Sequence, residues 1–244
     1  MNCFQRFYAY PPKECKWDWI LRNIYEKPLP CKHEIVDIKV YDLAKPPFEH
    51  SKEKLKLWKN LDTDGWKVVP DCPDFKGEGV KSCQEWDINP IDYSKELLQE
   101  YYTNPDNQMP VIQTLANNLN ELDNYCKWFK REFDTPQRLA VSGSICRVNN
   151  MDFVFKGVKI VRRHFPDTWI HLFAPRLHHL KKLYPIIESF DSSCWTFPRT
   201  GGQASCKNKE ERIEYFWNYV NILNKHVGMD LHKEQSSLGG FGCV

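Results

Sequence analysis

Asp37, Asp71, Gln113, Gly143 with Ser144, Phe173 and Asp191 stand at or near the ends of six short apolar runs in this 244-residue chain. Two or three carboxylates beside an amide suit the binding of a polar heterocycle. A carboxylate accepts from ring N–H groups, and a glutamine both donates and accepts. One carboxylate has the chemistry of a nucleophile at an electrophilic sugar carbon, while another can handle protons. Taken singly, an aspartate at a strand end is more often a helix cap than a catalyst. Six suitable ends in one chain shift the weight toward a site.

The elements that must position these groups follow a rhythm: an apolar run, a polar residue, then a helical stretch. The runs are 34–41, 66–71, 109–113, 139–143, 169–174 and 189–193. Helical periodicity is strongest after the third, where Leu115, Leu119, Leu122, Tyr125, Cys126 and Phe129 recur on one face. Further helices are expected near 50–61, 151–165, 176–187 and 207–226. Strands alternating with helices imply βαβ units and a parallel sheet. The expectation is a single α/β domain, a (β/α)8 TIM-like barrel with its site at the C-terminal face. It would occupy 34–228, after an N-terminal extension or first barrel elements over 1–33 and before a loose tail over 229–244. Two further strands are sought in 1–32 and 78–92. An open doubly wound sheet is the alternative, but no Gly-rich phosphate fingerprint follows the first run.

Composition sets broad limits. Hydrophobic residues make up 41%, charged residues 27% and aromatics 14%, enough for a sizeable core. The net charge of +2 lacks the basic excess by which strong nucleic-acid binders often announce themselves, though a local patch stays open. No stretch has the apolar length of a membrane span, and the start lacks a signal-peptide core, so a cytoplasmic protein is expected. Ten cysteines are present without a Cys-x-x-Cys pair, which reads as packed thiols rather than a disulfide framework.

The run Ser189-Phe-Asp-Ser-Ser-Cys-Trp-Thr-Phe-Pro-Arg199 resembles the nucleophile segment of tRNA-guanine transglycosylases, and more closely that of their compact DNA-modifying relatives in phages. The other runs resemble the family in the correct order. Val111-Ile-Gln113 is similar to its base-binding glutamine segment, and Leu139-Ala-Val-Ser-Gly-Ser144 to the strand end whose backbone N–H groups meet the base carbonyl. His171-Leu-Phe-Ala174 is similar to the strand that lays an apolar side chain over the ring. Val68-Val-Pro-Asp71 is similar to the strand whose aspartate accepts from the purine N–H edge. The resemblance implies a base exchange through an aspartyl-glycosyl intermediate. Asp191 would be the nucleophile and Asp37 the acid/base. Asp71, Gln113, Gly143 and Ser144 would read the base, with Phe173 and His171 beside it. The incoming base would be a 7-deazaguanine such as 7-cyano-7-deazaguanine.

The sequence departs from the family's pattern in places. The family motif Asp-Ser-Gly-Gly-Phe-Gln reads Asp37-Ile-Lys-Val-Tyr-Asp42 here, which puts the role of Asp37 in question and brings Lys39 or Asp42 beside it. The family's Cys-x-Cys-x-x-Cys zinc set is missing from the sequence, and Cys206 with His226 is a remnant at best, so no zinc and no other cofactor is expected. These departures favour DNA over tRNA as partner, with a homodimer or a second protein compatible. Arg147 and Arg199 are candidates for phosphates, followed by Arg162, Arg163, Arg176, Lys181 and Lys182; for each alone a solvated charge is the commoner reading. For His171 a core histidine is the commoner reading, and Asp74 is a second candidate for base recognition. A nucleoside or base hydrolase, and a barrel that binds nucleic acid without catalysis, remain as alternatives.

Overall fold

The computed structural model describes residues 6–77, 79–81, 87–116, 118–146, 148–193 and 208–227. They form an α/β domain with two parallel sheets. One sheet contains β1 (Arg6–Tyr8), β9 (Ser189–Asp191), β8 (Trp169–Leu172), β7 (Arg138–Val141) and β6 (Val111–Ile112), in that order. The other contains β2 (Trp19–Asn23), β3 (His33–Asp37), β4 (Trp66–Val68) and β5 (Gln108–Met109). Every ladder is parallel. The strand interiors are mostly apolar, as parallel strands covered by helices tend to be, with Arg22, Lys67, His171 and Ser189 among the buried polar exceptions.

The sheets meet edge to edge at two places. Ala9, just past β1, bridges Ile20 of β2: its N–H donates to the Trp19 carbonyl (3.1 Å), and its own carbonyl accepts from Leu21 N (3.0 Å). On the far side only Pro110 separates β5 from β6. Proline has no N–H to give a ladder, but its carbonyl accepts from Ala140 N at 2.8 Å. One apolar core runs under both sheets, with Phe7, Ile20, Val68, Ile112, Leu139 and Phe190 all buried.

Seven α-helices lie among the described residues: α1 (Lys52–Lys59), α2 (Pro90–Tyr101), α3 (Leu119–Glu132), α4 (Gly143–Cys146), α5 (Met151–His164), α6 (Leu177–Leu183) and α7 (Lys209–Val227). Their starts are written in the sequence. Ser51 Oγ accepts from Lys54 N, and Asn89, Asn118 and Asn150 each accept with Oδ1 from a first-turn N–H. α3 and α5 bury Leu122, Tyr125, Cys126, Phe129, Val154, Val158 and Val161 at helical spacing.

Each of the six expected runs contains a strand, but shorter. The first was expected to continue to Tyr41; it ends at Asp37, because Lys39 turns into a left-handed conformation (φ 66°) and a 3-10 helix follows over Val40–Ala44. The third is divided by Pro110. The two further strands, β1 and β2, both lie in 1–32. Among the described residues of 78–92 there is no strand, and helix α2, for which no helix was expected, begins at Pro90. No helix among the described residues is long and apolar enough to cross a membrane. Cys15, Cys72, Cys126 and Cys146 are buried as reduced thiols, and Cys31 is partly covered.

Candidate functional site

At the C-terminal ends of the strands lies a cavity of about 380 Å³. Asp37 closes β3, Asp191 closes β9 and Asp71 follows β4; all three line it, together with Gly143 at the start of α4 and Phe173 after β8. Register explains further walls. Tyr8 lies opposite Asp191 and Asn23 opposite Asp37, so both side chains belong to the same rim.

The carboxylates are held in unlike settings. Burial, then the negative charge of Asp191, pushes the Asp37 carboxyl up to about 6. N–H groups of Ile38 and Lys39 and the Lys54 ammonium act against that rise. Asp71 is likewise raised, first by burial and then by Asp37, with Lys54 and the Gln113 amide opposing. Gln113 is wholly buried behind the cavity wall and donates Nε2 to Asp71 Oδ2; its Oε1 has no partner among the described residues. His50, buried, donates Nε2–H to the Asp71 backbone carbonyl at 3.0 Å. Its imidazole is brought down to about 4 by burial and then by Lys54, so it is neutral at pH 7.

Asp191 is positioned from behind. Its Oδ1 accepts from Ala174 N at 2.9 Å, a contact made by a turn in which Ala174 has φ 47°. His171 Nε2 stands 3.4 Å from the same oxygen. The His171 ring is fully buried and its Nδ1 lies 2.9 Å from Ser189 Oγ, which accepts from Trp169 Nε1 at 2.8 Å. Ser189 Oγ thus bridges Trp169 and His171, while His171 Nε2 makes no hydrogen bond among the described residues.

No family model matches this chain. No curated protein matches it either. Among solved structures, the carboxyl transferase domain of Rhizobium etli pyruvate carboxylase, with oxamate and biotin, is similar at 12% identity with a TM-score of 0.35. The match covers 82% of this chain but 42% of that one, so the chain spans less than half of that structure.

Of the residues singled out in the sequence, Asp37, Asp71, Gly143, Phe173 and Asp191 are brought together on the cavity wall. Gln113, Ser144 and His171 are placed behind it. Ser144 Oγ accepts from Asp74 N (3.0 Å) and lies 3.3 Å from Ser142 Oγ, so its hydroxyl is engaged in loop structure. Asp74 is committed to the same loop, accepting from Gly77 N (2.9 Å) and Ala116 N (2.8 Å). A Cβ at Gly77 would run into that carboxylate and into Ala116.

Arg147 and Arg199 lie outside the described residues, as do Cys194, Trp195 and Cys206. Arg162 is turned inward, onto the carbonyls of Ile186 and Thr168 and both oxygens of Glu188, which corrects its reading as a phosphate contact. Arg163 pairs with Asp123 and Lys182 with Asp152. Several wall residues were not legible in the sequence, among them Tyr8, Tyr10, Asn23, Glu26, Phe75 and Arg212. Tyr8 and Asn23 close β1 and β2 and Tyr10 and Glu26 follow them, strands too short to read, while Phe75 lies in the loop after β4 and Arg212 on α7.

Proposed function

We propose that this chain is a base-exchanging glycosyltransferase of the guanine transglycosylase kind, acting on guanine in DNA. The observation that carries the reading is the convergence of Asp37, Asp71 and Asp191 from β3, β4 and β9 on one cavity, with Gly143 and Phe173 in its wall. A volume of about 380 Å³ suits one base and its sugar. Lys39 adds support. It stands at the first glycine of the family's Asp-Ser-Gly-Gly-Phe-Gln motif, and its φ of 66° is the conformation a glycine would take there. Tyr41, at the motif's phenylalanine, also lines the cavity.

In this reading the two sheets are arcs of one (β/α)8-like barrel. The Ala9–Ile20 bridge joins them on one side, and β5 with β6 counts as a single strand broken at Pro110, which gives eight strands. Carboxylates at strand ends are then where barrel enzymes hold their chemistry.

The reaction follows from the settings of the carboxyls. Asp191 attacks the anomeric carbon, the glycosidic C–N bond breaks, and an aspartyl-glycosyl ester forms. Asp37, whose carboxyl keeps its proton up to about pH 6, supplies that proton to the leaving guanine. A 7-deazaguanine then binds, gives its ring N–H proton back to Asp37, and its nitrogen displaces Asp191 from the sugar. Asp71 accepts from the base N–H edge, the Gly143 N–H meets its carbonyl, and Phe173 covers the ring. Guanine in a duplex must leave its stack to reach such a cavity. No metal or other cofactor takes part in this scheme.

The test is guanine release from radiolabelled double-stranded DNA and, separately, tRNA, with and without 7-cyano-7-deazaguanine, in wild type and Asp191→Ala. Release from DNA that needs both the deazaguanine and Asp191 supports the reading. Release from tRNA instead transfers it to that substrate. Release without an incoming base indicates a hydrolase, and no release from folded protein indicates a binding barrel.

A further inference from the structure

Lys54 is a buried lysine that the reaction scheme leaves unused. It lies in the first turn of α1 with its side chain 5% exposed. Its Nζ donates to the Lys39 carbonyl at 2.8 Å and stands 3.5 Å from Asp42 Oδ2. Asp42 is itself about half exposed and shared with Lys39 Nζ at 3.5 Å, so it neutralises Lys54 weakly. A buried ammonium with so little local compensation is costly unless other negative charge lies near. Asp42 acts on it most, and Asp37 adds to that. The charged and titratable groups around the cluster are Asp191 from β9, Asp71 and His50 from the segments flanking β4 and α1, and Lys39 with Asp42 from the turn after β3. Lys54 is the cation that acts on both Asp37 and Asp71.

We propose that Lys54 is a positioning residue of the site: it pins the left-handed turn that follows Asp37 and supplies the buried positive charge against which Asp37 and Asp71 are held. The turn needs an anchor because a lysine at φ 66° costs backbone energy that a glycine would not. The hydrogen bond to its carbonyl comes from the same ammonium whose charge acts against the rise of Asp37 and Asp71. One side chain therefore sets both the direction of the loop carrying Tyr41 and the protonation of the group that precedes it. This inference rests on the proposed function for its catalytic meaning, but its electrostatic part is measurable without turnover.

The experiment titrates the Asp37 carboxyl by carbon-13 NMR in aspartate-labelled full chain, with the resonance assigned through Asp37→Asn. In wild type the midpoint is expected near the value of about 6 set by its surroundings. Lys54→Met moves it up by roughly one pH unit, and Lys54→Arg, which keeps the charge, restores it. Should Lys54→Met lose its fold, the pair Lys39→Gly with Lys54→Met replaces it, since glycine takes the left-handed turn unaided. An unmoved midpoint in a folded Lys54→Met chain overturns the proposal, as does loss of fold in both variants, which would make Lys54 a structural strut. Guanine exchange is followed in parallel. If the midpoint moves while wild type exchanges no base, the transglycosylase reading falls and the role of Lys54 stands. If exchange occurs and its pH profile ignores Lys54→Met, the reverse holds.

Discussion

Gln113 donates its side-chain amide to the Asp71 carboxylate from a position with no solvent exposure, and its own carbonyl oxygen is left without a partner among the described residues. A buried acceptor in that state has unused bonding capacity beside the carboxyl proposed to accept from a base edge. Gln113→Leu removes both functions. Guanine affinity, measured by calorimetry, is expected to fall about ten- to a hundredfold, the worth of one or two hydrogen bonds to a charged group. Unchanged affinity in the folded variant would remove Gln113 and Asp71 from base recognition.

Asp191→Asn keeps an oxygen for the Ala174 N–H but loses the nucleophile. Base exchange is expected to drop by at least about a thousandfold, while guanine affinity and melting temperature stay close to wild type. The comparison is made in the radiolabel assay and in a thermal melt. Exchange persisting within tenfold of wild type (roughly 1.4 kcal/mol) would assign the covalent step elsewhere.

Stability should carry the mark of Asp37. Its carboxyl is raised from the ordinary 3.8 to about 6, so the folded chain binds this proton more tightly than the unfolded chain. Its contribution to stability is whole below the ordinary carboxylate value and is lost as pH rises through about 6. Asp37→Asn, which cannot ionise, is therefore expected to be more stable than wild type at pH 8 by about 1 to 3 kcal/mol. The range is set low because the carboxyl opens on the cavity. The difference should vanish toward pH 4; urea melts across that range decide it, and a variant less stable than wild type at pH 8 would contradict the burial assigned to Asp37.

Arg162 and Glu188 hold the opposite end of β8 and β9. Arg162 Nη2 donates to both Glu188 oxygens at 2.7 and 2.6 Å, and Glu188 also accepts from Ile170 N at 2.6 Å. Arg162→Met strands a partly buried carboxylate and several carbonyls, and is expected to cost about 2 to 4 kcal/mol. DNA affinity and its salt dependence should not change in the folded variant. A reduced salt slope would return Arg162 to the phosphate contacts.

Much of the site was legible because parallel strands buried on both faces read as apolar runs, and the first polar residue after each marks the exposed end. Asp37, Asp71 and Asp191 were found at or near the ends of such runs, and Gly143 and Phe173 by their place in a run rather than by polarity. Parity and motif order cannot tell which way a side chain turns once the strand has ended. Ser144 adjoins Gly143, yet its hydroxyl serves the Asp74 loop. The strands β1 and β2 were hidden because they are short and set among prolines and large aromatics. Phe7, Trp17 and Phe216 pack against one another there, a tertiary contact with no local period. Helix α2 did carry a signal that went unread: Asn89 as cap, Pro90 in the first turn, and Ile91, Ser94, Leu97 and Leu98 buried at helical spacing. The left-handed turn at Lys39 had no such signal, since the residue type argues against it.

The pairing of β1 with β9 joins the first described strand to one that begins at Ser189. A nascent chain emerging from the ribosome therefore carries Arg6–Tyr8 without its β9 neighbour until Ser189–Asp191 has been made. Folding by pieces can assemble β2 through β5 early, since those ladders are closer in sequence. Asp37 and Asp71 would gather on that early half, with Asp191 arriving last. A chain stopped short of β9 keeps two acidic side chains and an exposed strand edge but lacks Asp191: a fragment suited to degradation.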